Sequence, residues 1–375
     1  MTVNDSTNPH RRDQLPCLIV GGGPIGLETA VHLQRFGIES LVVDAGAVGH
    51  TISWWAPQTR WFSSNERIAI AGVPLHPVSG EKSTREEYLN YLRHVVRQFG
   101  LTIQTRTRIQ SVSSDSDGRL EVVGVSANGE QTWMADNVVL AIGGTDHPNR
   151  LGVPGEDLPH VDGYLREIHR YFQRRVVVVG GRNSAIEAAL RIFHGGGKVT
   201  LVYRGEGLPE DHIKYWLLPE IRGLVRSGRI DAHFDSQITR IDLDAVTVQT
   251  PDGEQRLQAD DVLTLIGYHQ DKRLFDAVGV ELVGDMQRPK HDPETMQTNV
   301  DGVYVAGTAV AGTQSSSYKT FLENCHDHPK KIAADIARKR QHASPKQGSS
   351  AEASVPLAAQ DRVGYERLIE MQPES

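Results

Sequence analysis

Cys17-Leu-Ile-Val-Gly-Gly-Gly-Pro-Ile-Gly26 decides how this chain is read, because a β-branched run ends in glycines and a helical pattern opens directly behind them. Gly21, Gly23 and Gly26 are the triplet that lets a strand turn sharply into a helix, lets backbone approach a pyrophosphate, and lets helix pack on strand. The helical stretch runs to Phe36 with Gly37 behind it, and the next apolar run, Ser40-Leu-Val-Val-Asp44, ends in a carboxylate. Asp44 stands 44 − 26 = 18 residues after the last glycine, near the spacing of about 20 at which an acid accepts a ribose hydroxyl and repels a 2′-phosphate. The first site therefore asks for an adenosine without that phosphate, such as FAD or NAD.

The unit recurs. Val176-Val-Val-Val-Gly-Gly181 leads into Gly180-Gly181-Arg182-Asn183-Ser184-Ala185, with Arg182 where the middle glycine stands in the first copy. The following run, Val199-Thr-Leu-Val-Tyr203, ends in Arg204, 204 − 185 = 19 residues past Ala185. A guanidinium there recognises a phosphate dianion bidentately, so the second site prefers NADPH over NADH. Lys214 adds charge if its loop folds back. Both units also close alike: Asn128 to Gly143 aligns without a gap on Asp252 to Gly267, an offset of 252 − 128 = 124 residues, each reading as turn, strand, turn, buried strand. The first unit spans 143 − 21 = 122 residues between its glycines and the second 267 − 180 = 87. Its extra material is an aromatic loop from His50 to Ser64 and a helix from Thr84 to Phe99, capped by Thr84 and Glu87 and stopped by Gly100. Two nucleotide sites of opposite preference suggest hydride transfer from NADPH to a flavin.

Composition narrows the classes. A chain of 375 residues is enough for two or three domains, and 38% hydrophobic with 23% charged residues is neither fibrous nor disordered. A net charge of −7 gives no basic field for nucleic acid, and no apolar stretch approaches a bilayer span. Met1 to Arg12 lacks the apolar core of a secretory signal, and two cysteines exclude a disulfide framework, so no membrane and a cytoplasmic location are expected.

Gly21 to Gly26, Ala141-Ile-Gly-Gly144, Gly180 to Ala185 and Thr298-Asn-Val-Asp-Gly-Val-Tyr-Val-Ala-Gly307 together resemble the two-dinucleotide-fold flavoproteins related to thioredoxin reductase. Within them the chain looks most like the YpdA-type bacillithiol disulfide reductases, through Gln58-Thr-Arg-Trp-Phe-Ser-Ser64, Gly152-Val-Pro-Gly-Glu-Asp-Leu-Pro159, Lys214-Tyr-Trp216, Ile266-Gly-Tyr-His269 and Phe321-Leu-Glu-Asn324. The resemblance implies an α/β fold of two Rossmann-like dinucleotide-binding domains, the NADPH domain inserted into the FAD domain, and a homodimer. It implies that Gly21, Gly23, Gly26 and Asp44 hold FAD, with Gly143, Gly307 and Thr308 on its flavin side, although relatives usually carry aspartate at Thr308. Gly180, Asn183, Ser184, Arg204 and Lys214 would hold NADPH. The expected divisions are a flexible N-terminus (1–13), an FAD-binding domain (14–168 and 271–342), an NADPH-binding domain (169–270), and a flexible Ser-, Ala-, Gln- and Gly-rich tail (343–375).

One position departs from the pattern. The bacillithiol-type motif reads Gly-Gly-Gly-Pro-Cys-Gly, and here Ile25 replaces the cysteine. With no Cys-x-x-Cys, an internal dithiol relay is impossible; Cys17 reads as an inert core thiol and Cys325 as a packing residue. No catalytic acid, base or nucleophile is assigned, and the acceptor is a small molecule or a small redox protein. A low-molecular-weight disulfide, ferredoxin or flavodoxin, a quinone, oxygen in a monooxygenase, and a non-catalytic redox sensor all stay open. The tryptophans of the aromatic loop are read either as flavin-side pocket walls or as packing on their own domain. Val153 to Tyr164, with His160, reads as an interdomain connection. His326 and His328 are expected as a solvated pair, with no metal site.

Overall fold

In the computed structural model, residues 11–115, 117–313 and 320–343 are described. The β-branched run Cys17–Val20 is the middle of a five-stranded parallel sheet whose order is Ile103–Gln104, Ser40–Val43, Cys17–Val20, Val138–Leu140, Val303–Val305. Apart from the edge strand Ile103–Gln104, its strands are buried on both faces, which is why they read as unbroken apolar runs rather than as alternation. The second sheet repeats the order in parallel: Asp231–His233, Lys198–Val202, Arg175–Val179, Asp261–Thr264, Val161–Asp162. The fifth strand differs in origin. In the first sheet it returns from near residue 303; in the second it precedes the rest, lying eight residues N-terminal to the expected start at 169 (169 − 161 = 8). A two-residue strand has no periodicity for a sequence reading to find.

Helix α1 (Pro24–Arg35) follows the first glycine turn with proline in its first turn. Helix α2 (Arg85–Phe99) begins at the Thr84–Glu87 capping box and ends on Gly100 in the left-handed region, as expected. It buries Tyr88, Tyr91, Leu92 and Val95 against the first sheet's core, and the Tyr91 hydroxyl meets the backbone of Ile70 and Val73. Helix α3 (Asn183–His194) follows the second glycine turn.

The internal repeat is visible as structure. Gly129–Ala135 and Gly253–Gln258 are the last strands of two antiparallel meanders, each leading into a buried parallel strand. Arg11–Leu15 pairs with Gly129–Ala135, so residues 11–13 belong to a strand and not to the expected flexible terminus, whose first ten residues lie outside the described chain. The expected tail lies outside it too, apart from Ala343, which ends helix α4 (Asp327–Ala343).

The chain passes between the two folds twice, at His147–Pro148 and Tyr268–His269. These segments pair as one antiparallel two-stranded ribbon. No helix among the described residues is long and apolar enough to cross a membrane.

Candidate functional site

Steric demand separates the glycines of the first turn. Gly21 has φ +113°, and a Cβ there would stand 2.3 Å from the Ala141 carbonyl oxygen. At Gly26 a Cβ would stand 1.9 Å from the Gly21 carbonyl oxygen. The chain's own packing therefore requires both. Gly23 is different, since nothing lies within 4 Å of a Cβ built there, and it stands before α1 without a side-chain cap. Open space at free helix N–H groups suits an approaching phosphate. Beside it the Asp44 carboxylate accepts from the Gly22 amide at 2.6 Å and from the Gly46 amide at 2.7 Å, which fixes both oxygens while leaving lone pairs for a ribose hydroxyl. These residues fit the adenosine diphosphate half of FAD.

The flavin half finds a matching frame. Gln270 donates its amide to the carbonyls of Gly143 at 2.8 Å and Ala309 at 3.0 Å, which leaves Oε1 buried with no partner among the described residues. An orphaned acceptor between two loops of the first fold fits a ring system with an imide N–H, as isoalloxazine has. Gly307 has φ +72° and packs on Ile25, whose Cβ would be 3.2 Å from a Cβ at that glycine. The half-buried Thr308 follows in the same 3₁₀ turn. The Gly307 amide donates to His328 Nδ1 at 3.2 Å; burial, with His291 and Lys331 adding to it, pushes this imidazole down to about 4, so it is a neutral acceptor.

His326 is its opposite. Nδ1 meets Glu28 Oε2 at 2.8 Å and Nε2 meets the Arg67 carbonyl at 2.8 Å, so both ring nitrogens face acceptors and both must donate. Burial opposes the charge, but the Glu28 carboxylate outweighs it and the histidine's pKa is raised. The expected solvated pair is thereby corrected: both histidines are half-buried and each has a separate partner. Among the described residues no cluster suits a metal ion.

Neither thiol is reactive. Cys17 is fully buried, and burial raises its pKa far above the ordinary thiol value. Cys325 is also fully buried, with its thiol donating to the Phe321 carbonyl at 3.1 Å and its pKa pushed up to about 12 by burial, then by Glu323 and Glu28.

The second turn keeps half of the first turn's geometry. Gly180 has φ +135°, and a Cβ there would stand 2.4 Å from the Leu265 carbonyl oxygen. Its amide donates to the Val202 carbonyl just as that of Gly21 donates to Val43, so Tyr203, not Arg204, is the equivalent of Asp44. The Tyr203 ring lies under Gly181, where a Cβ would be 2.7 Å from it. Arg204 is one residue further out and exposed. Asn183 and Ser184 open α3, and the Asn183 Oδ1 accepts from the Lys214 amide at 2.8 Å. The Lys214 loop does fold back, onto the flank of α3: its Nζ is 4.0 Å from Glu187. Burial lowers its pKa, with Glu187 opposing and Lys82 adding to the shift.

The folds meet through the aromatic loop. Arg191 of α3 donates to Thr59 Oγ1 at 3.1 Å and to the Pro57 carbonyl. Trp54 lies 5.7 Å from Tyr164, which stacks on Tyr268 of the ribbon at 5.5 Å. Trp55 and Trp61 instead pack into the first core beside Tyr88. Sequence reading missed Gln270, Arg191 and the neutral His328. Gln270 had one signal, its place directly after the Gly267-Tyr268-His269 crossing, where the first fold is re-entered.

Residues 18–307 match the family described as pyridine nucleotide-disulphide oxidoreductase. The chain is 36% identical over 332 residues to bacilliredoxin reductase Bdr of Bacillus subtilis, covering 88% of this chain and 99% of that protein. It is 27% identical over 297 residues to a ferredoxin–NADP reductase of Ignicoccus hospitalis, covering 77% of this chain and 88% of that one. Among solved structures, the bacillithiol disulfide reductase Bdr (YpdA) of Bacillus cereus superposes with a TM-score of 0.82 at 34% identity, covering 87% of this chain and all of that one.

Proposed function

The chain belongs to the pyridine nucleotide-disulphide oxidoreductase family, and from that premise we propose that its electrons leave the flavin directly for a small acceptor, with no thiol of this chain as carrier. It is an enzyme, an FAD-dependent NADPH oxidoreductase of thioredoxin-reductase-like architecture. FAD, when bound, takes a hydride from the reduced nucleotide and passes the electrons on.

The observation that carries the direct route is the state of the sulfur atoms. Ile25, 5% exposed, fills the position of the family cysteine, and both cysteines are buried with raised pKa values. A thiolate is the nucleophile in disulfide exchange, and these groups stay protonated at neutral pH. The residues that remain hold and orient. Asp44 is the acceptor for the adenosine ribose, Gly23 leaves room for the pyrophosphate, and Gln270 offers its free carbonyl oxygen to the ring. Gly143, Gly307 and Thr308 border that ring, while Gly180, Asn183, Ser184 and Arg204 take the nucleotide, Arg204 with a preference for the 2′-phosphate. On this reading the first fold extends from Arg11 to Pro148 and resumes at Gln270, and the second, lying between, starts about 20 residues ahead of 169. A cytoplasmic homodimer completes the reading.

Two acceptors are favoured by relatives. The Bacillus relative is a bacilliredoxin reductase and the Ignicoccus relative a ferredoxin–NADP reductase, and both names describe small redox-protein partners. An anaerobic NADPH titration of the purified yellow protein, followed by addition of a disulfide-bearing redox protein, a ferredoxin or a quinone, tests the proposal. Reoxidation by one of these, retained when both cysteines are replaced by alanine, is expected; reoxidation abolished by the Cys325→Ala substitution would sink it.

A further inference from the structure

Two ammonium groups converge on one aromatic ring where the folds meet. Lys82 Nζ lies 5.3 Å and Lys214 Nζ 5.6 Å from the centroid of Phe62, which stacks on Trp216 at 5.5 Å and 19°. Lys214 also lies 5.3 Å from the Trp216 ring. Lys82 and Phe62 come from the first fold's extra segment, and Lys214 and Trp216 from the second fold. Lys82 is not loosely placed: its carbonyl accepts from Arg60 at 2.8 Å, and its ammonium donates to the Phe62 carbonyl. The nearby carboxylates do not balance the two charges. Glu81 is taken by Arg60 at 2.6 Å, and among the described residues Glu187 alone approaches Lys214. Like charges held together beside an aromatic stack, with one carboxylate at 4.0 Å from Lys214, call for an anion.

The place of the cluster says which anion. The Lys214 amide is bonded to Asn183, the first residue of α3, and Glu187 is one turn further along the same helix. Arg204 stands elsewhere, just beyond the strand Lys198–Val202, at the end expected for the adenosine ribose. We propose that Lys82 and Phe62 complete the pyridine-nucleotide site from the opposite fold, Lys82 joining Lys214 as a counter-charge to the nucleotide's diphosphate. The inference rests on the NADPH-dependent reading above and assigns Lys82 and Phe62 a role in it. Because the diphosphate is common to both coenzymes, Lys82 strengthens binding of NADP⁺ and NAD⁺ alike, whereas Arg204 discriminates between them.

Calorimetric titration of the FAD-loaded full chain with NADP⁺ and with NAD⁺ tests this, since oxidised coenzymes report binding without turnover. Lys82→Gln should weaken both by the same factor, on the order of tenfold, and make log Kd less steep against log salt. Lys82→Arg should restore most of the loss, which a purely structural lysine bonded to the Phe62 carbonyl does not require, and Phe62→Leu should weaken both coenzymes less. Flavin content measured on each variant verifies that the first fold is intact. A Kd for Lys82→Gln within about twofold of the parent would overturn the proposal, as would a loss confined to NADP⁺. A parent chain that binds neither coenzyme would overturn the functional reading itself, a result plainly different from the other two.

Discussion

The two nucleotide folds share a strand order and a first glycine pressed against a backbone carbonyl, yet they part company at the other positions of the glycine turn and at the end of the following strand. Gly23, with open space around it, becomes Arg182; Gly26, jammed against Gly21, becomes Ala185; Asp44 becomes Tyr203, with Arg204 beyond. Even the acid behind each turn diverges. Glu28 and Glu187 both stand seven residues after the first glycine (28 − 21 = 7; 187 − 180 = 7), but Glu28 is 4% exposed and locked by His326 and the Ala71 amide, while Glu187 has Lys214 at 4.0 Å. Duplicate scaffolds thus separate what a glycine turn needs from what a guest would need: Gly21, Gly26 and Gly180 are pressed against backbone carbonyls, whereas Gly23 and Asp44 have no such constraint and are replaced in the second copy.

The largest effect should come from making the first turn like the second and beyond. Gly26→Val forces a side chain into the Gly21 carbonyl, costs about 1–3 kcal/mol or more, and should leave the purified protein with a tenth or less of its flavin, read from absorbance per chain. Ala185→Gly, the reverse exchange in the second turn, should move NADP⁺ affinity by no more than about threefold. Comparable damage from both would erase the distinction between the turns.

Next in size is Arg204→Glu. Anaerobic flavin bleaching with each coenzyme should lose its NADPH preference by on the order of 10- to 100-fold. An unchanged ratio would move 2′-phosphate recognition away from Arg204.

A smaller effect separates these two acids by pH. His326 has a raised folded pKa, so its contribution is fully present below the unfolded value of about 6.5 and is lost as pH rises through the folded value. Thermal melts should show a loss on the order of 1 kcal/mol across that window, which His326→Gln flattens by lowering stability on the acid side. Lys214→Met at the Glu187 site should leave the pH profile in that window as it was. The smallest effect is expected for Cys325→Ala, with acceptor turnover within about twofold of the parent; a tenfold loss would return a thiol to the reaction.

Much of this was legible because backbone constraints write themselves into sequence. Glycines at positive φ, β-branched runs buried on two faces, and a capping box are local, and they placed both parallel sheets, α2 and the repeat at its true register. What could not be read depends on contacts between distant segments. His326 meets Glu28 across 326 − 28 = 298 residues, Arg191 reaches Thr59 across 191 − 59 = 132, and Gln270 bridges Gly143 and Ala309, none of which leaves a spacing in the chain. Setting Arg204 opposite Asp44 was one residue off for a related reason, since the true match, Tyr203, is fixed by which carbonyl the first glycine amide reaches. The strand Val161–Asp162 was too short to announce itself.

The ribbon formed by His147–Pro148 and Tyr268–His269 carries one more consequence. Because the chain departs and comes home through neighbouring strands, the intervening segment behaves topologically as a cassette: its ends are already joined, so its replacement by another module would add little loop-closure entropy to the host. Such an arrangement allows the electron donor's module to be exchanged during evolution without redesign of the body that keeps the pigment.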